Sequence, residues 1–500
     1  NRPIMTLRLS NTLSGEREVF EPADPDDVLL YYCGLTVSDD AHLGHARTWV
    51  HVDVIHRWLE HLGYGVRHVE NITDVNEKIV ARVGERDGGG TLGEDELDVA
   101  EGFIERLLTD MRSLNLKRAE VYPRVSEHVP EIIDLVETLI ERGYAYESNG
   151  SVYFDVTEFP EYGTLSNQSI EDVETQGEES ERSEKRHPSD FALWKAGGVS
   201  EAALEEHRHG DRTYEADPSG TTWESPWGEG RPGWHIECSA MSMTHLDGSI
   251  DIHIGGRDLV FPHHENEIAQ SEAATGERFA RYWLHADLFE MDDEKMSSSL
   301  GNFIAVHEAV ERFGVDPLRM FFTSASYNST QTYSERAIEE AIERWARLEA
   351  AYDRAVSAAD NPAARTTVES PLRAATERAR ESFTEAMNDD FNTREALAAL
   401  LDLAGAVNRH LDGTDEHDYR GLRGAIETFE EFGGDVLGFD FDGTAAGEAA
   451  LAGELVELVL DIRADEREAG NYERADELRE SLETLGVEVQ DTDEGPEYRL

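Results

Sequence analysis

Phe261-Pro-His-His-Glu-Asn-Glu267 sets an imidazole and a carboxylate, His263 and Glu267, four residues apart. Pro262 suits the first turn of a helix, which would bring both side chains onto one face. Such a pair is either half of a metal site or a solvated surface pair, and spacing alone does not choose between them. The chain has two cysteines, Cys33 and Cys238. Without a secretion pattern, two thiols are not a disulfide framework; they are free, buried or metal-bound. Joined to His263 and Glu267, they would complete a donor set of two thiolates, one imidazole and one carboxylate, suited to tetrahedral zinc.

Two further patterns could handle phosphate. His42-Leu-Gly-His45 follows an apolar run and precedes a helical one. Imidazoles at a helix N-terminus, where amide hydrogens and the positive dipole end are exposed, could hold an anionic phosphate. Two histidines there could equally be packing or capping residues. Lys295-Met-Ser-Ser-Ser-Leu-Gly-Asn302 is a polar stretch with one cation. It could close over a triphosphate and neutralise developing charge, or be an ordinary Ser-rich turn.

These groups need elements to position them. Val28-Leu-Leu-Tyr-Tyr-Cys33 reads as a buried strand ending at Gly34. A helix is expected from near Ser38-Asp39-Asp40 to about Leu62, stopped by Gly63 and Gly65, followed by a strand over Val66–Val69. Strand, helix, strand is the unit of a parallel α/β sheet. The pattern changes between about Gly143 and Gly233: a strand over Ser151–Val156 is followed by acidic, Gly-containing stretches, which read as an insertion. Strand alternation resumes at Ile250–Ile254, before a helix beginning near His263. Helical periodicity then dominates over 334–360, 370–387, 393–411, 447–469 and 472–485, as in a helical bundle.

Composition bounds the function. Five hundred residues with 39% hydrophobic content suffice for three to four domains. No run of about eighteen apolar residues and no leader pattern occurs, so the expectation is a cytoplasmic protein without a membrane span. Asp and Glu number 106 against 45 Lys and Arg, a formal net charge of -61. So acidic a chain argues at first against nucleic acid, whose phosphates call for basic patches. However, the acidic residues are spread along the whole chain and only five lysines occur (Lys78, Lys117, Lys185, Lys195, Lys295). That pattern suits a very salty cytoplasm, where self-repulsion is screened within about 3 Å at 1 M.

Taken together, Cys33-Gly-Leu-Thr-Val37, His42-Leu-Gly-His45, Asn71-Ile-Thr-Asp74, Gly233-Trp-His-Ile-Glu-Cys238, Gly255 through Glu267, and Lys295-Met-Ser-Ser-Ser299 resemble the cysteinyl-tRNA synthetases of class I. The resemblance runs from about Leu7 to the Arg463–Arg479 region. It implies a Rossmann-like, doubly wound parallel α/β domain over 5–142 and 231–285, with an inserted connective domain over 143–230. A signature-loop and stem-contact region over 286–333, a helical bundle over 334–437 and an anticodon-binding region over 438–500 would follow.

By the same resemblance Cys33, Cys238, His263 and Glu267 hold one Zn2+. His42 and His45 stabilise the phosphates of ATP, which comes with Mg2+, and Lys295, Met296, Ser297, Ser298 and Ser299 form the ATP loop. Thr73, Trp234 and His253 wall the pocket for L-cysteine, which Asp258 borders. Arg463, Arg467, Asp476 and Arg479 fall where tRNA(Cys) is read, and a monomer is expected.

Two departures stand out. Relatives carry a second lysine where this chain has Ser298, and Gly495-Pro-Glu-Tyr498 departs from the family's C-terminal pattern. A rival reading keeps the same catalytic core but joins cysteine to an amino-sugar. It has little use for about 150 residues of helical C-terminus. A catalytically dead relative that only binds zinc or RNA is a second rival, and the retained His42, His45 and Lys295 speak against it.

Overall fold

The computed structural model describes residues 6–87, 90–170, 179–208, 212–214, 218–291, 294–295 and 303–441, with 459–460, 462–463, 467, 472, 474–475, 478–479, 482, 488–492 and 495–499 beyond them. Residues 1–439 form one compact unit and 440–500 a second.

The first unit is organised by β1 (Val28–Tyr32), α1 (Leu43–His61) and β2 (Val66–Glu70). Helices α2 (Glu96–Ser113) and α3 (Val129–Glu141) come next. Strands β3 (Ala145–Ser148), β4 (Ser151–Phe154), β5 (Phe191–Ala196) and β6 (Gly230–Pro232) then make a separate antiparallel sheet. Finally α4 (Trp234–His245), β7 (Ile250–Gly256), α5 (Glu265–Thr275) and β8 (Ala280–Ala286) return to the first sheet. That sheet is parallel, in the order β8, β7, β1, β2. Of its strands β1 is a continuous apolar run, Val28-Leu-Leu-Tyr-Tyr32, and β7 is buried from Ile250 to Gly255, as in a sheet covered on both faces. The chain winds outward from β1 to β2 on one side and from β7 to β8 on the other. A crevice therefore opens beyond the carboxyl ends of β1 and β7, where doubly wound sheets hold ligands.

One continuous core joins this sheet to the insertion, packing Tyr31, Val69, Ile250 and Trp283 with Phe154, Phe191 and Trp194. Glu96 fastens the insertion further. Its buried carboxylate accepts both terminal nitrogens of Arg231 at 2.7 and 2.6 Å and the backbone N–H groups of Asn76 and Thr221. A buried charge so fully hydrogen-bonded is tolerated, and removing one partner is not.

Downstream lie β9 (Phe289–Met291), β10 (Glu294–Lys295), α6 (Val306–Phe313), α7 (Val315–Thr323) and β11 (Gln331–Tyr333). Helices α8 (Glu335–Ala359), α9 (Pro371–Asn388), α10 (Thr393–Gly413) and α11 (Tyr419–Thr428) pack as a bundle. Their starts are set by side-chain caps, with Ser334, Ser370, Asn392 and Asp418 accepting N–H groups of Ala337, Leu372, Glu395 and Gly421. On α8 the buried residues Ile338, Ala341, Trp345, Leu348 and Tyr352 recur at helical spacing. In the second unit, Glu488–Thr492 pairs antiparallel with Gly495–Arg499. No helix among the described residues is long and apolar enough to cross a membrane.

Three expectations need correction. The first helix starts at Leu43, not near Ser38, because the His42 ring accepts the Gly44 N–H and is itself the N-cap. The helix expected from His263 begins at Glu265, since Phe261 has extended dihedrals and Val260–His264 form an irregular turn. The short helix Glu201–His207, inside an acidic, Gly-containing stretch, has too few apolar positions to announce itself, and α11, with Leu422, Ala425 and Ile426 at helical spacing, is not among the separate helices expected. The helices expected over 447–469 and 472–485 fall largely outside the described residues.

Candidate metal centre and active site

Four buried side chains converge at the crevice. Cys33 directly follows β1, where its N–H donates to Ile254 O on β7. Gly34 lets the chain turn there, since a Cβ at this position would lie 1.8 Å from Asn71 O. Cys238 comes from the second turn of α4, and His263 and Glu267 from the turn into α5 and its first turn. The two sulfurs are 3.7 Å apart, Cys33 Sγ lies 3.4 Å from His263 Nε2, and His263 Nε2 lies 3.1 Å from Glu267 Oε1. All four donor atoms fall within 4.8 Å of one another. A tetrahedral ion with bonds of about 2.0–2.3 Å would separate its ligands by roughly 3.3–3.8 Å, close to this spacing. Glu267 Oε1, fully buried, accepts no hydrogen bond of good geometry. The donor set and the orphaned oxygen both fit a thiophilic divalent ion.

Electrostatics points the same way. Burial disfavours the imidazolium of His263, but Cys238 and Glu267 outweigh it and push the pKa up to about 10. Burial also opposes the Glu267 carboxylate, yet His253 and His263 hold its pKa down at about 2. Its hydrogen bond to Cys33, with burial, pushes the Cys238 thiol well up. Each group is thus displaced by the others, as in a cluster assembled for a cation.

Surrounding side chains orient the donors. His253 Nε2 lies 3.0 Å from Glu267 Oε2, and His235 Nδ1 lies 2.9 Å from His263 Nδ1. Trp234 stacks on the His263 ring at 4.3 Å and is 39% exposed, so it forms a wall of the crevice. Thr73 is buried in a chain in which the Tyr31 hydroxyl donates to Asn71 Oδ1 and Asn71 Nδ2 donates to Thr73 Oγ1. His253 is fully buried behind Glu267, and Asp258 is exposed on the turn after β7. His235, three residues before Cys238, was not singled out from the sequence. Its place in Gly233-Trp-His-Ile-Glu-Cys238 was the available signal.

His42 and His45 stack at the start of α1, ring centroids 3.7 Å apart. Nδ1 of His42 accepts the Gly44 N–H and Nδ1 of His45 accepts the His42 N–H, so both rings cap the helix. Lys295 lies on β10, its backbone opposite Glu290. Met296, Ser297, Ser298, Ser299 and Asp476 lie outside the described residues. In the second unit Arg463 is buried, Arg467 exposed and Arg479 half-buried.

Residues 19–343 match the class I (C) tRNA synthetase catalytic domain, 382–442 a DALR domain, and 452–499 the cysteinyl-tRNA ligase anticodon binding domain. The chain belongs to the cysteine–tRNA ligase family. Cysteine–tRNA ligases of Haloarcula marismortui and Halobacterium salinarum are 66% and 61% identical to it, each over 99% of this chain and 100% of the relative. That of Thermococcus onnurineus is 42% identical over 98% of both chains. Among solved structures, Mycobacterium tuberculosis methionyl-tRNA synthetase in complex with methionyl-adenylate aligns with a TM-score of 0.58 at 16% identity, covering 87% of this chain and 94% of that one. This likeness shows the class I fold. Membership of the cysteine–tRNA ligase family implies ATP, an amino acid and tRNA as substrates, and the four-donor group is compatible with zinc. Because the family match extends through the anticodon domain, the amino-sugar ligase reading is not favoured.

Proposed function

We propose that this chain activates L-cysteine with ATP and Mg2+ to cysteinyl-adenylate and transfers it to the terminal ribose of tRNA(Cys). Family membership over the whole chain supports the reaction, and the spacing of the Cys33, Cys238, His263 and Glu267 donors supports the choice of amino acid. Cysteine and serine differ by one atom, so shape alone separates them poorly. Zinc held by these four residues supplies a soft Lewis acid that prefers a thiolate to an alcohol. His253 and His235 hold Glu267 and His263 in place, while Trp234 and Thr73 bound the pocket and Asp258 borders it.

The substrate carboxylate attacks the α-phosphate in line, so the protein's task is positioning and charge stabilisation rather than nucleophilic catalysis. His42 and His45, at the positive end of α1, meet the phosphates, and Lys295 with Met296, Ser297, Ser298 and Ser299 forms the ATP loop. Arg463, Arg467, Asp476 and Arg479 contribute to the tRNA surface, supported by the anticodon-domain match around them. The enzyme acts as a cytoplasmic monomer with the domain limits expected from the sequence.

Cysteine-dependent ATP–pyrophosphate exchange, with and without a zinc chelator, followed by tRNA charging in concentrated KCl, tests the reading. Exchange that needs cysteine and is lost with the metal is expected. Equal exchange with serine would overturn it.

A further inference from the structure

Arg47 lies two residues beyond His45 on α1, 1% exposed, and its guanidinium is spent on two stretches of backbone and one side-chain amide. Nη1 donates to Asp287 O at 2.7 Å, and Nη2 donates to Ser326 O, Tyr327 O and Ser329 O at 3.0, 3.2 and 2.5 Å. Nε donates to Gln331 Oε1 at 3.1 Å. Four carbonyl dipoles therefore converge on one cation, with no buried carboxylate among the hydrogen-bond acceptors. Without it they would be left facing one another unpaired, a costly arrangement in a dry interior.

The carbonyls so gathered flank one structure. Asp287 leads into β9, and Gln331 begins β11, which pairs with β9 in parallel, Phe289 opposite Gln331. On its other side β9 pairs with β10, Glu290 opposite Lys295. Beyond the loop the chain returns to the same helix start: Leu43 N–H donates to Ile304 O and Val306 N–H donates to Ala41 O. The strand before the loop is thus held to α1 by Arg47, and the segment after it by the backbone around His42.

We propose that Arg47 is a positioning residue for adenylate formation, fixing the β9–β10–β11 platform, and with it Lys295, at a set distance from His42 and His45. The proposal rests on the ligase reading above. It assigns Arg47 no contact with substrate. Lysine keeps the charge at this position but cannot span Asp287, the 326–329 turn and Gln331 at once, because its single ammonium lacks the planar five-donor fork.

A double-mutant cycle in the full chain tests this, with cysteine-dependent pyrophosphate exchange, KM for cysteine and thermal midpoint as readouts. Arg47→Lys is expected to lower kcat at least about tenfold with KM for cysteine unchanged. In a Lys295→Ala background the same change should cost less than about twofold more, because a platform that places Lys295 is useless without it. Arg319→Met is the control, a buried arginine that ties α1 to Leu437 elsewhere in the fold; it should lower the thermal midpoint without that kinetic signature. If Arg47→Lys does not fold, Gln331→Leu, which removes the Nε acceptor together with the Gln331 Nε2 donor to Phe321 O, carries the same cycle. Additive losses, or loss of cysteine binding in step with kcat, overturn the proposal. Absence of exchange in the unaltered chain overturns the ligase reading and this inference with it, whereas an active chain with an equally active Arg47→Lys variant overturns this inference alone.

Discussion

His253 holds Glu267 by one carboxylate oxygen, Nε2 to Oε2 at 3.0 Å, and thereby leaves the other oxygen turned toward His263 and the two thiols. A residue in the middle of β7 thus fixes the rotamer of a donor on α5. Partners that orient a ligating group commonly contribute 10–100-fold in metal affinity, roughly, and His253→Asn should weaken zinc binding by about that factor while keeping the fold. Competition with a chromogenic chelator measures it. Undiminished affinity would remove His253 from the site.

Lys295 is the one lysine of the 295–299 stretch, where the family resemblance implies a second at the position of Ser298. On the proposed reading Lys295 is the one lysine of this stretch to meet the departing pyrophosphate, beside His42, His45 and Mg2+. Lys295→Ala is expected to slow exchange at least about tenfold, roughly 1.4 kcal/mol of barrier, with little change in KM for cysteine. An unaltered rate would refute that role.

His68 is fully buried on β2 with its ring edge against His56, and burial, then His56, pull its pKa down to about 3. The unfolded chain takes up this proton near pH 6.5 and the folded chain does not, so stability is intact above that value and falls as pH drops toward 3. By pH 5 His68 accounts for a loss of about 2 kcal/mol. Denaturant titrations at pH 7 and 5 should therefore show His68→Leu losing about that much less than the parent. Parallel losses in the two proteins would contradict the assignment.

With a formal net charge of -61, the folded chain repels itself wherever salt does not intervene. Raising KCl from about 0.1 to about 2 M should raise the thermal midpoint by roughly 3 °C, the size expected from about 3 kcal/mol of relieved repulsion when the unfolding entropy of so long a chain sets about 1 kcal/mol per °C. A midpoint indifferent to KCl would show that the acidic excess is not tuned to salt.

Much of this was written along the chain. The apolar run ending at Cys33, the glycines that stop α1 at His61, and the helical periodicity that begins near 334 and 370 depend on local chemistry, and the structure has them where the pattern put them. His42 read differently: its place beside a helix start was legible, but that the ring caps the helix in place of Ser38 depends on a rotamer that spacing does not encode. Helix α11 is not among the separate helices expected, although Leu422, Ala425 and Ile426 recur at helical spacing; so short a helix depends on tertiary packing for its stability.

Residue types and the four-residue spacing of His263 and Glu267 made the donors candidates, and the resemblance to the cysteinyl-tRNA synthetases chose them. Whether they meet is a long-range matter. Cys33 and Cys238 are 205 positions apart, and only the pairing of β1 with β7 and the packing of α4 and α5 over them brings the sulfurs to 3.7 Å. The roles of His253, His235 and Arg47 were likewise decided in three dimensions, because an orienting hydrogen bond or a gathered set of carbonyls exists only after the elements have docked.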